Sequence, residues 1–154
     1  MIPAAVDYVR ADSAEAAIAA LVEHGDEAKL LAGGHSLIPL MKFRLAAPAV
    51  VVDIGRITEL SYVRDAGDHL AIGALTRHRE IETNALVGSQ AGLLAGATAK
   101  VGDPQVRHRG TIGGAIAHGD PASDIPAALL ALRATMVLDG PDGQRQVSSD
   151  DFFT

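Results

Sequence analysis

The stretch RHRGTIGGAIAHGDPASD, residues Arg107 to Asp124, decides how this chain is read. It packs four glycines, two histidines, two aspartates and two arginines into one turn-rich segment. Glycine pairs admit positive φ and leave no Cβ between the backbone and whatever approaches it. A shorter echo lies upstream, in Ala32-Gly33-Gly34-His35-Ser36. Each pair follows apolar chain and leads toward a helical pattern. Two such loops predict one anionic cofactor held between two phosphate-type cradles. The rest of the chain is then the frame that brings the loops together.

Around the upstream loop, Asp12-Ser13-Ala14-Glu15 opens a helix that Asp12 caps, with Glu15 answering as in a capping box. Ala16, Ala17, Ala20 and Leu21 give this helix an apolar face, and Gly25 is its stop. Ala28 to Ala32 reads as a short buried strand. Ser36 to Phe43 reads as a helix with Pro39 in its first turn, where proline is tolerated. Ala49 to Ile54, AVVVDI, is a second strand, whose unbroken β-branched run suits burial on both faces. Residues 1–55 therefore read as a β-α-β lobe with the glycine loop at the carboxyl end of its first strand.

The pattern changes in residues 56–154. Ser61 to Arg64 and His69 to Ala74 pair as a hairpin about Ala66-Gly67-Asp68. Thr76 caps a short helix through Ile81. Leu86 to Val101 reads as one close-packed helix, Gly102 to Pro121 as the focal loop, and Ser123 to Arg133 as a further helix. Ala134 to Asp139 and Arg145 to Val147 form a final hairpin about Gly140 to Gly143. Phe152 and Phe153, two of the three phenylalanines, do not belong in solvent; either they dock back or more chain follows them.

Composition narrows the classes. A chain of 154 residues, 48% apolar and 21% charged, is globular, with one domain or two small lobes. Aromatics are 3% with no Trp, so a flat cofactor ring finds few aromatic partners here. The net charge of −6 argues against nucleic acid, and it requires an anion to be held locally by backbone N–H groups and a few arginines. With no cysteine there is no disulfide and no iron–sulfur cluster ligated by this chain, which fits the cytoplasm. MIPAAVDYVR has no basic region followed by a long apolar run, so no signal peptide is expected. No apolar stretch approaches a membrane span.

The loops carry the chemistry. His35 and Ser36 begin a helix whose free N–H groups and dipole favour phosphate, although a Gly-Gly pair alone is also a common strand-to-helix turn. Thr111 offers a hydroxyl, and Gly113-Gly114 a close backbone approach. Asp124 reads equally as an acceptor for ligand hydroxyls or as a first-turn helix charge. Arg107 and Arg109 are either solvated or engaged in an ion pair or a phosphate contact. His108 and His118 lack further ligands at metal-site spacing and read as surface or ligand-edge histidines. No dinucleotide fingerprint of the G-x-G-x-x-G type, no P-loop and no Ser-His-Asp arrangement is legible.

Ala32-Gly33-Gly34-His35-Ser36-Leu37 with Pro39 to Lys42, Arg107 to Gly114, and Ala117 to Asp124 resemble the two FAD signatures of the molybdenum hydroxylase family. The likeness is to its medium, flavin-binding subunit, as in aerobic carbon monoxide dehydrogenase and the flavin domain of xanthine dehydrogenase. It runs in register along essentially the whole chain. It implies an α+β, two-lobed FAD-binding fold of the vanillyl-alcohol-oxidase type, incomplete at the C-terminus. Ala32, Gly33, Gly34, His35, Ser36 and Leu37 would wrap the pyrophosphate. Thr111, Gly113, Gly114 and Ala115 would line the other side, with His118 and Asp124 beside the flavin or its ribityl chain.

The resemblance also implies partners. These are a molybdopterin-binding large subunit and a small subunit with two [2Fe-2S] clusters, assembled as a dimer of heterotrimers. Electrons would run from the clusters through FAD to an external acceptor, and no residue of this chain would be catalytic or bind metal. Two departures stand out: Ala115 replaces the family's usual Asn, and His35 replaces a glutamine of some members. The family subunit also continues past the Asp-Phe-Phe segment, where a residue packing on the isoalloxazine is expected. Two other readings are a stand-alone flavin oxidoreductase of the same superfold and an assembly module without flavin.

Overall fold

The computed structural model describes residues 2–153. Its first unit is a parallel sheet of β1 (Asp7–Arg10), β2 (Ala28–Leu31) and β3 (Val50–Asp53), in the order β1-β3-β2. The β-branched run takes the centre, with Val50, Val51 and Val52 all buried. Asp7 and Ala28 both pair with Val50, so the three strands end level at Arg10, Leu31 and Asp53. Helix α1 (Ala14–His24) lays Ala17 and Ala20 on the sheet. Helix α2 (Leu37–Lys42) connects β2 to β3, with Pro39 in its first turn. Leu75, from the second unit, completes this core.

The second unit begins with the hairpin β4 (Val63–Asp65) and β5 (Leu70–Ile72). Six helices follow: α3 (His78–Thr83), α4 (Ala85–Gln90), α5 (Gly92–Thr98), α6 (Pro104–Arg107), α7 (Ile112–His118) and α8 (Asp124–Ala131). The hairpin β6 (Thr135–Gly140) and β7 (Gly143–Ser148) and the short α9 (Ser149–Phe152) close it. Ile81, Val87 and Ile125 are fully buried at the centre of its core. Burial of each such side chain contributes about 1.5–3 kcal/mol.

Five local expectations change. β1 is invisible in the sequence because three of its four residues are exposed, as an edge strand allows. Ser13, not Asp12, caps α1: its Oγ accepts from Ala16 N at 3.1 Å, while Asp12 takes Arg10 at 3.0 Å. Three residues after Ser13 stands Ala16, so no capping box forms. Thr76 does not cap α3; its hydroxyl donates to the Tyr62 carbonyl at 2.9 Å and accepts from Tyr62 N at 3.1 Å. The expected helix from Leu86 to Val101 is two, α4 and α5, broken at Ala91 (φ −139°), and Asn84 Oδ1 caps α4 at 2.9 Å from Leu86 N. Residues 102–121 are not a loop throughout, because they contain α6 and α7. Phe152 and Phe153 dock on the second core, edge to face with centroids 5.1 Å apart.

Candidate functional site

The two glycine loops touch. Gly33 is buried, and a Cβ there would overlap the Arg109 carbonyl and lie 3.0 Å from Gly110 Cα. Gly34 follows with φ +79°, a turn that side-chain-bearing residues resist. The start of α3 locks the joint from the other side. Arg77 donates a guanidinium N–H to the Arg109 carbonyl, and His78 N donates to Gly110 O at 3.0 Å. Arg77 and Thr111 form an antiparallel bridge.

A cleft of about 280 Å³ opens at this joint. Leu31, Ala32, Gly33, Gly34 and Ile38 line one wall, Asp53, Gly55 and Arg56 a second, and Arg77 and Arg109 the third. It lies at the carboxyl ends of β2 and β3, where parallel sheets present their ligands. Asp53 braces the edge: Tyr8 donates to its Oδ2 at 2.6 Å and Gly55 N to its Oδ1 at 2.8 Å.

Backbone donors separate the loops. Among the described residues, the N–H groups of Gly33, Gly34, His35, Ser36 and Leu37 find no protein acceptor, while Ile38 N returns to Gly34 O at 3.0 Å. Consecutive free donors ahead of a helix make an anion cradle. The second loop is closed. Ile112 N donates to Thr76 O at 3.1 Å, Gly113 N to Ala74 O at 2.8 Å and Gly114 N to Thr111 Oγ1 at 3.2 Å. A Cβ on Gly113 would lie 2.7 Å from the Ala74 Cβ.

Charge follows the same division. Among the described residues Arg56, Arg77 and Arg109 have no carboxylate partner. Burial pulls the Arg77 guanidinium below its ordinary value, the Arg109 charge adds to this, and Glu80 opposes it. A negative group entering the cleft would offset both effects. Arg107 turns away: its Nε meets Glu82 at 2.9 Å and its Nη1 meets Val101 O at 3.1 Å. Of the two open arginine readings, Arg107 is an ion pair and Arg109 borders the cleft.

The remaining expected residues distribute as follows. His35 is exposed and Ser36 and Leu37 half-buried at the start of α2. Thr111 is buried and caps α7. Ala115 packs on the second core, and His118 and Asp124 are exposed at the end of α7 and the start of α8. These last seven, with Gly113 and Gly114, lie outside the cleft lining. Sequence reading missed Asp53, Gly55, Arg56 and Arg77 as cleft residues. The first three could have been found from their place at the end of the β-branched strand. Among the described residues no group of three metal-ligating side chains forms.

Residues 4–154 match the family model described as the FAD binding domain in molybdopterin dehydrogenase. The chain belongs to this family. FAD is the cofactor of this flavin domain family, and the cleft fits a dinucleotide diphosphate by its free N–H groups, unpaired arginines and glycine-only wall. The chain is 48% identical over 153 residues to the carbon monoxide dehydrogenase medium chain of Hydrogenophaga pseudoflava, covering 99% of this chain and 53% of that one. It is 47% identical over 153 residues to the glyceraldehyde dehydrogenase medium chain of Sulfolobus acidocaldarius, covering 99% and 54%. The solved structure of the Hydrogenophaga pseudoflava carbon monoxide dehydrogenase superposes with a TM-score of 0.98 at 48% identity, covering 100% of this flavin domain and 54% of that chain. The chain thus spans about half the length of the curated relatives it matches. No helix among the described residues is long and apolar enough to cross a membrane.

Proposed function

We propose that this chain is the flavin-holding part of a medium subunit in a molybdenum hydroxylase. It carries electrons from a partner's iron–sulfur clusters to an external acceptor. The observation that carries this reading is the cleft that sets Gly33 and Gly34, at the start of a run of free N–H groups continuing to Leu37, with Arg56, Arg77 and Arg109. Bound FAD supplies the redox chemistry; the chain supplies position and electrostatics. Ala32 to Leu37 cradle the diphosphate, and the three arginines balance its charge. Thr111, Gly113, Gly114 and Ala115 would shape the second side without donating backbone N–H groups, and His118 and Asp124 would offer polar groups to the cofactor's hydroxyls. The two lobes divide at 1–55 and 56–154, supported by a first core drawn almost wholly from residues before the β4–β5 hairpin.

This chain offers no cysteine to ligate an iron–sulfur cluster, which supports placing the clusters in a partner. We assign two [2Fe-2S] clusters to a small subunit and the molybdopterin to a large one, joined as a dimer of heterotrimers in the cytoplasm. The test is a visible absorption spectrum of the purified full chain, with released flavin identified after heating. Bound FAD near one per chain is expected. No flavin after FAD is added, with partner subunits present, rejects the reading.

A further inference from the structure

His78, the first residue of α3, is 4% exposed, and its Nδ1 has no hydrogen-bond partner. Its ring edge rests on Gly110: a Cβ on Gly110 would lie 2.6 Å from His78 Cδ2 and 3.0 Å from Nε2. Its backbone N–H donates to Gly110 O at 3.0 Å. The preceding carbonyl, of Arg109, is the one that abuts Gly33 and receives Arg77. An apolar ring would fill the same space without leaving a buried nitrogen unpaired. What histidine adds is titration near neutral pH.

We propose that neutral His78 is a positioning residue for the flavin cleft: its buried ring wedges the Arg109–Gly110 peptide against Gly33 and Arg77, and protonation releases the wedge. This rests on the flavin reading of the cleft. Burial holds the imidazole below its ordinary value, which keeps it neutral at physiological pH. The elements packed on α3 give a proton no partner. α4 and α5 carry no charged residue, and α6 supplies Arg107, already paired with Glu82 of α3. Arg79 shares Glu82, Glu80 Oε2 is engaged by Arg77 N at 3.0 Å, and His108 Nδ1 faces the Pro104 carbonyl at 2.6 Å. Arg77 and Arg109 add like charge on the cleft side. A protonated ring must leave its site or displace Gly110.

The full chain tests this by FAD titration and by NMR, using wild type, His78→Phe and His78→Gln; the second variant serves if the first fails to fold. Wild type should lose FAD affinity progressively as pH falls below about 6.5, steepest below the His78 ring midpoint read by NMR, and the non-titrating variants should lose less than about twofold over the same range. In the flavin-free wild type, the Gly33 and Gly110 amide signals should move with the same midpoint as the His78 ring. Equal pH dependence in all three proteins, or amide signals that ignore His78, overturns the proposal. No FAD binding by any of them near neutral pH, with partner subunits present, overturns the flavin reading and this proposal together.

Discussion

The loop after β2 and the loop before α7 carry the same Gly-Gly dipeptide, yet their backbones end in opposite conditions. From Gly33 to Leu37 the N–H groups point to no protein acceptor, whereas those of Ile112, Gly113 and Gly114 are consumed by Thr76, Ala74 and Thr111. One pair leaves donors over for a ligand. The other spends its donors on seating a helix. The lesson is that a glycine pair reports close approach, and only an account of its amide hydrogens says what approaches.

Substitutions can break or sharpen that contrast. Gly33→Ala puts a Cβ into the Arg109 carbonyl. It should cost about 3 kcal/mol and at least about a hundredfold in FAD affinity, read by thermal melts and flavin titration. Gly113→Ala meets Ala74 at 2.7 Å. It should cost about 2 kcal/mol in the same melts but change the affinity of the folded fraction only severalfold. If both variants lose flavin equally, the division of labour is wrong. Arg109→Ala should weaken FAD about tenfold with a reduced salt dependence, and Arg107→Ala should lower Tm and spare affinity. Thr111→Ala removes the α7 cap and should cost about 1 kcal/mol.

The smallest effect concerns pH. His78 sits below its ordinary 6.5 when folded, so the unfolded chain binds more protons between the two values. Stability is whole above about pH 6.5 and declines as pH falls toward the folded value. A melt series across that window should show the decline in wild type and its absence in His78→Phe.

Much of this was legible. AVVVDI declared a central strand because a continuous β-branched run has few other places to go, and AGGHS declared a glycine turn between a strand and a helix, which the structure places beside the cleft. The rest was hidden for physical reasons. DYVR forms β1 by pairing along one edge, which leaves its side chains free of any pattern. Gly113-Gly114 looked like a loop because glycine is a poor helix former, yet tertiary contact with Ala74 outweighs that propensity. Arg56 and Arg77 carry no local signature; they become neighbours of Arg109 only through the long-range fold.

The joint between Gly33 and the Arg109–Gly110 peptide also sets a timetable. The hairpins and helix pairs of the second unit close between neighbours along the chain, but this joint ties segments from opposite halves of it. Chain entropy makes such a closure a late event. The cleft is therefore expected to close late in folding, with FAD meeting a chain whose local contacts are already made. A ligand that engages only that last contact leaves the folding rate nearly untouched and instead slows the way out, so flavin acts as a latch on the lifetime of the folded chain.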